Sequence, residues 1–276
     1  MDSRSPFFCK NLVIGQGIQA TIVEGIDRHE TPLAVKVFSN KRGHSNPNYE
    51  HEVCVMDKLA GKTNICQILH REENYKFSAI AMEKYESDLF QYAFEGDITL
   101  TEREIMPIFK EICKGVREMH KCGVAHLDLK PENVLINSDT MQIALCDFGL
   151  SYISSVKNKN ALCSKFVGTK FYVAPEIAYS VEYNPFAADI YSLGCLLFVL
   201  FTGRFPANVD GYYNFPASVN ISSGSDELLS AMLQKIPEKR PTVQQVLRHP
   251  IFQSQSRKSI PSRTSLFSKI KSIVVK

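Results

Sequence analysis

His126-Leu127-Asp128-Leu129-Lys130-Pro131-Glu132-Asn133-Val134-Leu135-Ile136 is the stretch on which the reading of this sequence turns. Nineteen residues beyond Asp128 stands Asp147-Phe148-Gly149, followed by Gly168-Thr169 and Ala174-Pro175-Glu176. One such tripeptide occurs readily by chance; an ordered set at fixed spacing does not.

Working outward toward the N-terminus, Gly15-Gln16-Gly17-Ile18-Gln19-Ala20-Thr21-Ile22 lies between two strand candidates. Glycines let a backbone turn tightly and bring its amides close to phosphates. On its own the pair is a hairpin turn. A dinucleotide fold needs a helix directly after such a loop, and the β-formers Thr21, Ile22 and Val23 follow instead. Ala34-Val35-Lys36 places a lysine inside an apolar strand, where it snorkels, marks a sheet edge, or serves as a cation for the α- and β-phosphates of a nucleotide. The last role needs a carboxylate to hold the ammonium. Glu52 and Glu50 both stand on the next helical stretch, and Glu52 shares an inward face with Val55, Met56 and Leu59.

The 276-residue chain is 44% hydrophobic and 22% charged, as a globular protein of one large domain or two lobes would be. No apolar run approaches the ~18 residues of a membrane span. Residues 1–10 do not read as a signal peptide, so the expected setting is cytoplasmic or nuclear. Eight scattered cysteines without a C-x-x-C pair read as reduced thiols. The net charge of +3 hides a division: residues 253–276 carry six cationic side chains and no acid, leaving the remainder at −3. That layout is not a nucleic-acid-binding face.

Strand patterns at Leu12–Ile14, Thr21–Val23, Leu33–Phe38 and Ser78–Met82, with one helix near Asn48–Leu59, give way after Asp88 to helices. Glu102–Lys121 is amphipathic, and Ala188–Thr202, apolar nearly all round, is expected to be a buried helix too short to span a membrane. Glu227–Gln234 and Val243–Leu247 follow. Strands first and helices after predict an α+β protein with two unequal lobes.

With its glycine loop, strand lysine, helix glutamate, His126–Asn133 loop, Asp147-Phe148-Gly149 and Ala174-Pro175-Glu176, the chain resembles the eukaryotic protein kinases of serine/threonine type from about Phe7 to Phe252. The resemblance implies an N-terminal extension (1–6), a bilobal kinase domain (7–252, with lobes 7–85 and 86–252) and a basic, Ser-rich tail (253–276). It implies transfer of the ATP γ-phosphate, with Mg2+, to protein hydroxyls. Asp128 is then the base, Lys130 the γ-phosphate contact, Asn133 and Asp147 the metal ligands, and Lys36, paired to Glu52, the α/β-phosphate contact. The nucleotide would lie among Ile14, Gly15, Gln16, Gly17, Ile18, Ala20, Ile22, Ala34, Lys36, Glu52, Met82, Glu83, Tyr85, Asp88 and Leu135. Met82 falls at the gatekeeper position; the backbones of Glu83 and Tyr85 face adenine, and Asp88 the ribose. Thr169 is the expected partner of base and lysine, Asp189 braces the catalytic loop, and Arg240 pairs with Glu176.

The pattern departs from the family in four places. Ala20 replaces the third loop glycine. Leu127 replaces the arginine that in the family receives a phosphate from the activation segment. Lys165 replaces the usual phosphoacceptor, with Ser164 beside it. The stretch from Pro206 to Pro216 is too short for the usual helix. Receptor and phosphate are absent together, so the expectation is activity independent of activation-segment phosphorylation. A pseudokinase or scaffold of the same fold is the alternative, and the complete catalytic set argues against it. Phe267, Ile270, Ile273 and Val274 fall at helical spacing in the tail, which would suit a regulatory partner or an anionic surface.

Overall fold

Ten residues of extended backbone, β1 (Phe7–Gln16), open an antiparallel sheet with β2 (Thr21–Asp27), β3 (Pro32–Ser39), β4 (Ile68–Glu73) and β5 (Phe77–Glu83), in the order β1-β2-β3-β5-β4. In this computed structural model the described residues are 5–17, 20–41, 44–95, 100–154, 162–206, 208–209, 212–213 and 219–254. Ile18, residues 1–4 of the extension and residues 255–276 of the tail lie outside them.

β1 is longer than its central apolar triplet suggested. Its register against β2 shifts between Cys9 and Val13 and again before Gly15, and such bulges break the alternation by which strands are recognised. β4, Ile-Leu-His-Arg-Glu-Glu, was not legible at all: half-buried and exposed positions alternate along a charged strand. α1 (Pro47–Lys58) starts where Asn46 accepts a bond from the Asn48 amide and Pro47 takes the first turn.

The second lobe begins with β6 (Ser87–Asp88) and α2 (Leu89–Phe94), then α3 (Glu102–Lys121), β7 (Val124–Ala125), β8 (Val134–Asn137), β9 (Gln142–Leu145) and β10 (Tyr152–Ile153). α4 (Pro175–Tyr179) and α5 (Pro185–Thr202) follow. β11 (Asn208–Val209) pairs with β12 (Tyr212–Tyr213) between Pro206 and Pro216, and α6 (Ser223–Met232), α7 (Val243–Leu247) and α8 (Ile251–Ser254) complete the lobe. α6 starts four residues before the expected Glu227, because Ser222 caps it by accepting from the Ser225 amide. α5 also starts earlier than expected, capped by Asn184 with Pro185 in the first turn. At 18 residues it is long and apolar enough to cross a membrane, which corrects the shorter length expected. Its buried face, from Ile190 to Leu200, packs in the core with Ile108 and Ile112 of α3 and Leu228 and Met232 of α6.

Candidate active site

Lys36 in β3 stands opposite Ile22 in β2 and Ile80 in β5. Its Nζ donates to both Glu52 oxygens at 2.7 Å and to Asp147 Oδ1 at 2.9 Å. Glu52 is 2% exposed whereas Glu50 faces solvent, which decides between the two carboxylates. Burial alone would lower the Lys36 pKa; Glu52 and Asp147 outweigh it and hold it above the usual lysine value, so the group is an ammonium. Burial would raise Asp147, but the Lys36 ammonium wins and lowers it.

Asp128 is 7% exposed, and its two oxygens are fully engaged. Oδ1 accepts from the Thr169 amide at 2.9 Å and the Thr169 hydroxyl at 2.6 Å. Oδ2 accepts from Asn133 Nδ2 at 3.0 Å and lies 3.0 Å from Lys130 Nζ. Lys130 also donates to Thr169 Oγ1 at 2.7 Å, so Asp128, Lys130 and Thr169 form a closed triangle.

Asp189, fully buried on α5, holds the loop that carries Asp128. Its oxygens accept from the amides of His126 and Leu127, both at 2.8 Å, and from His120 Nε2 at 2.8 Å. Leu127 has φ 62°, the left-handed conformation that L side chains avoid, and this turns two successive amides onto one carboxylate. His126 was not among the expected site residues, although it stands two before the aspartate. Its Nδ1 accepts from the Asp128 amide at 3.3 Å, which leaves Nε2 to donate to the Cys146 carbonyl at 3.0 Å. His51 of α1 similarly meets the Ser151 carbonyl at 2.9 Å, tying the helix that carries Glu52 to the segment after Asp147.

The remaining expected residues among those described lie on neighbouring strands of the sheet and at the start of the second lobe. Ile14, Gly15, Gln16, Ala20 and Ile22 lie along β1, β2 and their turn, which Gly17 closes by donating to the Ala20 carbonyl at 2.9 Å. Ala34 faces Met82 across the β3–β5 ladder, and Asp88 faces Leu135 across β6–β8. Glu83 is exposed at the end of β5. The Tyr85 hydroxyl accepts from Gln142 Nε2 at 3.2 Å. Asp88 commits Oδ1 to the Gln91 amide as the cap of α2. Arg240 reaches Glu176 at 2.5 and 2.7 Å from α4, fully buried.

Leu127 is 4% exposed in an apolar cluster with Ala125, Cys163, Ala174, Ile177, Tyr183 and Ala188. Cys163 and Tyr183 exchange two backbone bonds of 2.9 Å, and the Tyr183 hydroxyl donates to the Lys165 carbonyl at 2.8 Å. β10 pairs with β7 at the other end of the segment. Gly168, at φ 112°, lies so close that a Cβ there would meet the Leu127 carbonyl at 2.9 Å.

The donor set fits a small hard cation. Asn133 gives its amide NH2 to Asp128 and so keeps its carbonyl oxygen available, and Asp147 is a half-exposed carboxylate. Among the described residues no cluster of three or more metal-binding side chains occurs. Mg2+ takes few protein ligands when phosphate oxygens complete its shell.

The lysine–glutamate pair of the sheet lobe and the Asp147 carboxylate of the helical lobe are joined through Lys36. Residues 8–252 match the protein kinase domain, and the chain belongs to that family. It is 33% identical over 233 residues to the probable serine/threonine-protein kinase HSL1 of Saccharomyces cerevisiae, covering 80% of this chain and 15% of that one. It is 34% identical over 234 residues to the maternal embryonic leucine zipper kinase of Xenopus laevis, covering 79% and 35%. With a probable myosin light chain kinase of Dictyostelium discoideum it shares 31% identity over 253 residues, covering 86% and 78%.

Proposed function

We propose that this chain transfers the γ-phosphate of ATP to serine or threonine hydroxyls of proteins, with Asp128 as base and with its activation segment set by packing rather than by phosphate. The observation that carries the reading is the closed Asp128–Lys130–Thr169 triangle facing the Lys36–Glu52–Asp147 chain. Lys36 grips the α- and β-phosphates, and its two carboxylates keep it charged and directed. The acceptor hydroxyl gives its proton to Asp128 as its oxygen bonds to the γ-phosphorus and the bond to the β-phosphate oxygen breaks, releasing ADP. Lys130 offsets charge on the moving phosphoryl group. Asn133 and Asp147 would hold Mg2+, which neutralises phosphate charge when bound.

Leu127 supports the second half of the proposal. Where the family's arginine awaits a phosphate, an apolar side chain is buried in one cluster with Cys163 of the segment and with Tyr183, to which Cys163 is bonded. The test of phosphotransfer is Asp147→Asn in protein made in bacteria. Transfer from radiolabelled ATP to a generic basic protein should vanish while the melting temperature stays within a few degrees. Equal labelling by both proteins would refute the assignment.

A further inference from the structure

Two side chains of the surface beside Thr169 break the rule that large aromatics are covered. Phe171 is 55% exposed and Phe205 44% exposed. Their rings stack 4.7 Å apart at 23°, and buried Tyr172 meets Phe205 edge-on at 5.3 Å. Neither ring is there by default. The Tyr172 amide donates to the Thr169 carbonyl at 3.1 Å, closing a four-residue turn whose third member, Phe171, has φ 77°. That position in a type II turn ordinarily takes glycine. For a bulky residue, a positive φ is a strained outlier, and such outliers gather at functional sites. Phe205 is held as firmly. α5 ends at Gly203, whose φ of 64° turns the chain, and Thr202 Oγ1 accepts from the Arg204 amide at 3.1 Å.

From the stacked rings we infer that Phe171 and Phe205 form the seat for an aromatic side chain of the peptide substrate, near the acceptor residue. The inference rests on the phosphotransfer reading above. Phe171 is two residues from Thr169, whose hydroxyl bonds Asp128, so its Cα lies within ~7.6 Å of Thr169's. An extended peptide advances ~3.3 Å per residue, so the seat falls about two to four residues from the hydroxyl at the base. A substrate chain must pass over this ground, which is why a peptide, rather than another partner, is the occupant. Aromatic rings recognise aromatic rings through stacked and edge-on contacts at 4.5–7 Å. The rim is cationic: Lys170 Nζ lies 5.0 Å from the Phe171 centroid, and Arg204 is exposed beside Phe205. An acidic neighbour to the peptide's aromatic residue would be drawn to that rim.

Position-scanned Ser/Thr peptide libraries, phosphorylated by the full chain with Mg-ATP, test this. Phe, Tyr or Trp should be selected at one position two to four residues from the acceptor. On matched peptides differing only by Phe or Ala there, wild type should show a kcat/KM ratio of at least tenfold. In Phe171→Gly the ratio should fall to near one. Because glycine suits the turn, the melting temperature should not drop, so misfolding cannot mimic the effect. Phe205→Ala should lower the ratio as well. Transfer by wild type without aromatic selection, or an unchanged ratio in Phe171→Gly, overturns the seat. Absence of transfer to any peptide overturns the phosphotransfer reading and the seat with it.

Discussion

Replacing Leu127 with arginine restores the residue type the family uses, and here it should do harm. The leucine is 4% exposed among Ala125, Cys163, Ala174, Ile177, Tyr183 and Ala188, none of which carries a charge. Removing it forfeits about 1.5–3 kcal/mol of apolar burial. An arginine in its place puts a guanidinium where no phosphate awaits it, and an uncompensated buried charge costs ~3–5 kcal/mol. Leu127→Arg should therefore lose about 4.5–8 kcal/mol of stability, comparable to the ~5–15 kcal/mol that holds a domain together. Leu127→Met, which keeps the volume, should lose less than about 1.5 kcal/mol. Urea unfolding measures both. Phosphotransfer should fall at least tenfold in the arginine variant, since the loop bearing Asp128 and the segment bearing Thr169 meet at this side chain. Phosphatase-treated wild type from bacteria should keep its activity, and Ser164→Ala should change it less than about tenfold, or ~1.4 kcal/mol of barrier. If the arginine variant matches wild type in stability and rate, the reasoning fails. It fails equally if phosphatase silences wild type and phosphate on Ser164 restores it.

Beyond abolishing transfer, Asp147→Asn should alter acid stability. The folded pKa of Asp147 is lowered from 3.8, so its stabilisation is complete above that value and lost as pH falls through the lower one; the variant's melting curve should lack this component below about pH 4. Glu176→Gln should destabilise by ~3–5 kcal/mol in urea unfolding, because fully buried Arg240 would lose its ionised partner. Among the thiols, iodoacetamide at pH 8 should modify exposed Cys54 well before Cys66, Cys113 or Cys195, whose burial raises their pKa values, and mass spectrometry reads the order. Burial also raises Cys146 well above 9.0, so it too should resist the free reagent.

The site was legible where chemistry demands a residue type at a spacing. Lys36, Asp128, Asn133 and Asp147 could be named before any geometry, and the choice of Glu52 over Glu50 followed from helix phase. Other features depend on tertiary neighbours and leave little trace in sequence. β4 hides behind charges because only alternate positions touch the sheet. The start of α6 depends on one serine whose capping role is indistinguishable from that of any loop serine. The part played by His126 rests on a carbonyl twenty residues away. The exposure of Phe171 could not be foreseen, because an aromatic between Lys170 and Tyr172 reads as core until the turn that holds it outward is seen.

The grip of Asp189 on the His126 and Leu127 amides means that the two halves of the site are mounted on bodies of unequal stiffness. The base hangs from α5, a helix sunk in the largest core cluster, whose amides would be among the last to exchange with solvent. Lys36 hangs from a sheet whose first strand carries two register shifts, and its partner Glu52 from a helix fastened by His51. A cleft built this way has a fixed anvil and a yielding jaw. In the proposed reaction, nucleotide entry and ADP departure would be accommodated by the sheet side, while the Asp128 carboxylate would keep its place from one turnover to the next.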